Sequence, residues 1–238
     1  MAKIAGSPQN FSNRILAALP DGESRRLEGV LERITVANGH ILLEEGTKPI
    51  WAYFAEDSVV SMIRILSDGS MIEVGLVGFD GFVGVHSLAS ADEQPYRQIV
   101  QNAGAMWRVP LKDLRAEFTR GGKLQEVLLR FMAVFIAQIS QTAACNRLHT
   151  IERRLARWLL MMRDRVPSGD LDLTQEFLSH MLGTRLAGVN EALRSLTLNG
   201  LVKHRRNTIT ILNREGLEDA ACECYAFVKS EARRTFGA

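Results

Sequence analysis

A chain of 238 residues, 46% hydrophobic and 24% charged, is long enough for one large domain or two ordinary ones and apolar enough to bury real cores. Its net charge of +2 excludes a polycation, so any contact with nucleic acid has to come from local clusters of basic residues. The three cysteines, Cys145, Cys222 and Cys224, are an odd number confined to the second half, which argues against a disulfide framework.

Residues 1–9 read as a loose terminus, without the apolar stretch of a secretion signal. No apolar run of membrane-spanning length is visible either, so a cytoplasmic, reducing location is expected. Helices are expected over 10–19 and 24–34, separated by Pro20-Asp21-Gly22. The character then changes to short strands at 41–43, 51–55, 58–66, 71–77, 96–101 and 105–109, punctuated by glycines. Such regular turn signals belong to an all-β barrel or roll, and Asp68-Gly69 between two apolar runs reads as a hairpin.

Pro110 opens a short helix over 111–118. After Gly121-Gly122 a long helix is expected over 123–148. Along it Leu124, Leu128, Phe131, Phe135, Gln138 and Thr142 recur at alternating spacings of four and three, an a/d heptad seam that continues to Cys145. Such a face packs either on its own chain or on a second copy. Its run of three heptads favours the second copy and makes these residues the expected dimer seam. Leu148-His149-Thr150 reads as a hinge, with Thr150 capping a helix over 151–166. That helix has an apolar face of Leu155, Trp158, Leu159 and Met162, with Arg153, Arg154 and Arg157 elsewhere, and Pro167-Ser168-Gly169-Asp170 breaks it.

The stretch 173–212 is the most informative. Thr174 is a suitable N-cap, Phe177, Leu178, Met181 and Leu182 fall on one helical face, and Gly183 supplies a left-handed stop. A second helix follows from Arg185 or Leu186 to Asn199, its buried stripe expected at Val189, Ala192, Leu193, Leu196 and Leu198, and Asn199-Gly200 ends it. Two short helices around a glycine turn are a helix-turn-helix. The segment 201–212 then reads as a hairpin turning near Arg206-Asn207, a wing whose Lys203, His204, Arg205 and Arg206 suit phosphate contact. Six arginines between 147 and 165 make this half the basic one. A last helix is expected over 214–236, capped by Asn213. Cys222 and Cys224, two apart on that helix, would point to different sides and make a poor metal pair, so no metal is expected.

In this order, and above all in LTQEFLSHMLGTRLAGVNEAL followed by NGLV and the wing, the chain resembles the bacterial cyclic-AMP receptor and fumarate–nitrate-reduction (Crp/Fnr) superfamily of transcription regulators. The resemblance runs from about Leu16 to Leu212. It implies an α+β chain: a cyclic-nucleotide-binding-type β-roll over 1–122, a long dimerisation helix over 123–148 and a winged helix-turn-helix over 149–238. It further implies a homodimer on a palindromic DNA operator, with RNA polymerase and an unknown small-molecule effector as further partners.

Two arginines and a glutamate read bases in the cyclic-AMP receptor, and the matching positions here hold Leu186, Ala187 and Glu191. That leaves Arg185, Asn190 and Glu191 as base readers, since arginine suits guanine, asparagine adenine and glutamate cytosine. Arg194 would reach phosphate, and Thr174 and Gln175 lie where this family meets the backbone. The bland reading of Glu191 is an i,i+3 partner for Arg194.

The family's cyclic-nucleotide cassette has a Gly-Glu pair, and here Gly84 is followed by Val85, which cannot hold a ribose hydroxyl. Arg97 could meet a phosphate and Ser140 touch a ligand, yet Gln98 replaces the expected Ser or Thr. The weight falls against cyclic AMP, because a polar ligand loses much of its binding without its partners. His86 lies in the turn where a carbon-monoxide sensor of the family ligates haem, but a lone histidine on a turn is more often polar surface. The family's iron–sulfur sensor uses N-terminal cysteines, absent here. No cofactor is therefore expected. An enzyme is disfavoured by the lack of a phosphate loop, metal motif or nucleophile–base spacing. The competing class is a ligand-binding module that acts through protein contacts.

Overall fold

The computed structural model describes residues 11–90, 92–166 and 170–236. The expected loose terminus at 1–9 and the Pro167-Ser168-Gly169 break lie outside them. Helix α1 (Arg14–Ala17) begins at Asn13, whose side chain accepts from the N–H groups of Ile15 and Leu16 and donates to the carbonyls of Ala55 and Gly81. It is followed by α2 (Asp21–Glu28) and β1 (Glu32–Val36). The helix expected over 24–34 therefore stops early. β1 pairs antiparallel with β7 (Gly104–Pro110), a distant partner that overrides the local helical pattern.

Between them lie β2 (Ile41–Leu43), β3 (Trp51–Ala55), β4 (Val59–Ile65), β5 (Met71–Val77), the short helix α3 (Val85–Ala89) and β6 (Arg97–Asn102). Two antiparallel sheets, in orders β1-β7-β3 and β2-β6-β4-β5, form the roll. Then come α4 (Leu111–Arg120), α5 (Lys123–Leu148) and α6 (Ile151–Arg163). The remainder is β8 (Asp170–Asp172), α7 (Gln175–Met181), α8 (Leu186–Leu198), β9 (Val202–Arg205), β10 (Thr208–Ile211), α9 (Arg214–Ala220) and α10 (Glu223–Phe236). The single helix expected over 214–236 is thus two, broken at Ala221-Cys222.

Helix α5 corrects the expected dimer seam. Leu124, Leu128, Phe131, Phe135, Gln138 and Thr142 are all buried inside their own chain. Phe131 stacks on Phe135 and meets Phe82, which stacks on Phe54, so a ladder of rings joins the roll to the helix. The approach is close: a Cβ on Gly81 would run into the Phe131 ring, and one on Gly75 would lie 2.7 Å from Phe135. Gln138 explains why a polar residue belongs to this face. Its side-chain amide accepts from the Leu76 N–H at 2.6 Å and donates to the Leu76 carbonyl at 3.2 Å, serving edge strand β5 where a further strand would. Thr142 accepts from Arg157.

The opposite face of α5 is exposed, with Leu129 at 50% and Ile136 at 63%. Ala133, Ser140 and Ala143 lie exposed at the intervening heptad spacings. Contrary to the sequence expectation, α5 is by length and composition apolar enough to cross a membrane, but its packing against β5, α4 and α10 makes it the central helix of the fold.

The apolar interior forms two large clusters. One holds the roll and the first half of α5. The other holds α6, α7, α8 and the wing, yet it also takes in Val59, Ile63 and Leu76 from β4 and β5. Helix α6 is buried nearly all round, including Arg154 and Arg157, which the sequence pattern sets away from the core. A polar contact crosses the same junction. Glu73 of β5 accepts from the Trp158 indole N–H at 3.0 Å and from the Ser61 hydroxyl, and burial raises its pKa to about 7. Arg165 pairs with Asp80 at 2.7 Å a short distance away.

Candidate nucleic-acid interface

Helix α7 starts where Thr174 accepts from the Phe177 N–H at 3.0 Å, and Gly183, at φ 55°, turns the chain toward α8. Val189, Ala192, Leu193 and Leu196 hold α8 on the core. Leu198, expected in that stripe, is 76% exposed, because it falls on the far side of the helix from Leu196. The exposed face carries Arg185, Ala187, Asn190, Glu191 and Arg194. Spacings of three and four put Ala187, Asn190, Glu191 and Arg194 on one side. No ion pair joins Glu191 to Arg194 among the described residues, so both side chains are free for another partner. Arg185, the N-cap residue, lines a cleft with Ser70, Met71 and Ile72 of the β4–β5 hairpin. Thr174 is exposed and Gln175 half-buried at the start of α7.

The wing is a three-stranded sheet in order β8-β10-β9, and β8 has no counterpart among the strands expected from sequence. Register sets Lys203 opposite Thr210 and Arg205 opposite Thr208, with Arg206 at φ 52° on the tip. His204 stands opposite the fully buried Ile209, on the inner face with Val202, and its Nε2 is buried. Strand alternation therefore removes His204 from the phosphate-facing set that its sequence neighbours suggest. On the outer face Thr208 and Thr210 donate to Asp172 and Asp170, so positive charge is confined to the β9 side and the tip.

The basic cluster at 147–165 is likewise reduced. Arg154, Arg157 and Arg165 are buried, Arg154 donating to the Leu182 carbonyl and Arg157 to Thr142, which spends their charge inside the fold.

The expected effector residues do not converge. Gly84, at φ 114°, caps α3, with Val85 and His86 half-buried behind it. Arg97 is held by Glu44 at 2.9 Å. Ser140 faces outward from α5, on the side away from the roll.

Comparison with known proteins agrees with this architecture. Residues 153–220 match the family model of the Crp-like helix-turn-helix domain. Among solved structures, FixK2 from Bradyrhizobium japonicum is similar with a TM-score of 0.69 at 18% identity, covering 81% of this chain and 98% of that one. A CRP-family transcriptional regulator from Thermus thermophilus gives 0.67 at 17%, covering 80% and 96%. The c-di-GMP-responsive global regulator CLP of Xanthomonas campestris gives 0.66 at 16%, covering 81% and 99%. No curated protein sequence matches the chain. The C-terminal region is a Crp-like helix-turn-helix domain. It is carried on a β-roll and a long helix, and together they give the overall fold of these solved structures.

Proposed function

We propose that this chain is a homodimeric, sequence-specific DNA-binding regulator that reads its operator with α8. The observation that carries the reading is the exposed side of α8, where Asn190, Glu191 and Arg194 stand unpaired above a fully packed apolar stripe. Arg185, Asn190 and Glu191 take base edges in the major groove, and Arg194, Lys203, Arg205 and Arg206 take phosphates. Thr174 and Gln175 approach the backbone at the start of α7. Dimerisation uses the outer face of α5, through Leu129, Ala133, Ile136, Ser140 and Ala143, which places two copies of α8 on the half-sites of a palindrome. RNA polymerase is the partner through which such a protein acts on transcription. The effector is a ligand other than cyclic AMP, a reading supported by Val85 and by the commitment of Arg97 to Glu44.

Selection of bound fragments from genomic DNA, followed by competition at several salt concentrations, tests the proposal. A palindromic site is expected. Arg185→Ala should weaken it by about 1–3 kcal/mol and relax one base position. Arg205→Ala should weaken all sequences alike and lower the salt slope by about 1. Absence of any preferred sequence would overturn the reading. So would a rise in melting temperature with cyclic AMP, for the effector part.

A further inference from the structure

The cysteines that look badly spaced in sequence meet in space. Cys145 lies in the last turns of α5, His149 caps that helix, Cys222 sits in the break between α9 and α10, and Cys224 is in the first turn of α10. Their ligand atoms, one from each residue, all lie within 4.8 Å of one another. Cys145 Sγ is 3.4 Å from Cys222 Sγ, and Cys224 Sγ is 3.4 Å from His149 Nδ1. The break at Ala221-Cys222 is the reason: with Cys222 outside the helix, residues two apart no longer have to point to different sides.

We propose that Cys145, His149, Cys222 and Cys224 form a tetrahedral site for a single thiophilic divalent ion of the zinc class, clamping the end of α5 to the start of α10. Bond lengths of about 2.3 Å to sulfur and about 2.0–2.1 Å to nitrogen at tetrahedral angles require neighbouring ligand atoms roughly 3.5–3.8 Å apart. The two 3.4 Å contacts already lie close to those edges. A multi-iron cluster would need its thiolates spread farther, and a set of three thiolates and an imidazole selects zinc or its like over hard cations.

The surroundings fit a metal as well as the ligands do. With Nδ1 turned toward the sulfurs, His149 points Nε2 at Glu223 Oε1, 3.4 Å away, the arrangement in which a carboxylate orients a metal-bound histidine. Gln141 donates to Cys224 Sγ at 3.0 Å, satisfying a thiolate lone pair. Three thiolates around a divalent ion leave one negative charge, and Arg157, 3% exposed, donates to Thr142 one turn before Cys145 on α5 with its Nε unpartnered, a buried positive charge at this end of the helix. All three cysteines are buried, so the site has the closed character of a structural ion.

The location gives the ion its consequence. It would bridge the long helix, the turn that joins it to α6, and the helix that closes the C-terminal region, fixing the angle at which α8 is held. The test uses the full-length reduced chain. Elemental analysis should find one zinc per chain. Anaerobic titration of metal-stripped protein with cobalt(II) should give the visible bands of a tetrahedral thiolate site, saturating at one equivalent and displaced by zinc. Cys222→Ser should abolish those bands. Glu223→Gln should keep them while weakening affinity by about 10-fold. Should Cys222→Ser fail to fold, the wild-type cobalt spectrum and the Glu223→Gln shift still decide. Folded wild-type protein that gives no tetrahedral cobalt spectrum, or that carries a Cys145–Cys222 disulfide in place of the ion, overturns the proposal.

Discussion

The two faces of α5 have nearly the same heptad spacing and opposite fates. The inner face carries two phenylalanines, leucines at its start and a glutamine that completes the edge of β5. The outer face carries a sparser series, Leu129, Ala133, Ile136, Ser140 and Ala143, and stays exposed. Periodicity shows that a helix has an apolar stripe without saying what covers it. The larger apolar surface is buried first, within the chain, because that burial needs no partner. The sparser face is left exposed, and in the proposed dimer its small residues would let two helices approach closely.

The sharpest way to separate the faces is Phe131→Ala. This ring lies between Phe82 and Phe135, and its removal should cost about 3–5 kcal/mol, read as a lower midpoint in urea unfolding. A cost under about 1 kcal/mol would mean that the ring is not part of a packed core.

Next in size is the buried carboxyl beside the inner face. Glu73 has its pKa raised from 4.5 to about 7, so the folded chain holds a proton that the unfolded chain has lost. That contribution is complete below the unfolded value and disappears as pH rises through the folded one. Stability should therefore fall between pH 4.5 and about 7, by on the order of 3 kcal/mol from this group. Glu73→Gln keeps an acceptor for Trp158 and should flatten that slope; melting curves across the range would show it.

The smallest effect on the chain itself belongs to the outer face. Ile136→Asp should change the stability of the isolated chain by less than about 0.5 kcal/mol, as exposed substitutions do. It should nevertheless shift sedimentation from dimer to monomer and lose operator binding with it. A dimer that survives would place the seam elsewhere.

The helix-turn-helix was the most legible part of the sequence, since its signals are local. The Thr174 cap, the Gly183 turn and the stripe Val189, Ala192, Leu193 and Leu196 all lie within one short stretch. Base-reading candidates followed, being the polar residues left on the other side of α8. What the sequence hid was set by distant partners. β1 is a strand because β7 lies beside it. His204 turns inward because its register partner is Ile209. Arg154 and Arg157 lie in a core because α6 is covered on nearly every side. The convergence of Cys145 with Cys222 depends on a helix break and on contacts between segments 77 residues apart.

The sharing of Val59, Ile63 and Leu76 with the C-terminal cluster bears on how such a protein can be recombined. Excising the helix-turn-helix region at the end of α5 would carry away a core with one wall missing, and the roll would keep an apolar patch with nothing against it. A chimaera that keeps both cores whole has to import β4 and β5 together with α6, so the two halves of this chain are a matched pair rather than interchangeable parts.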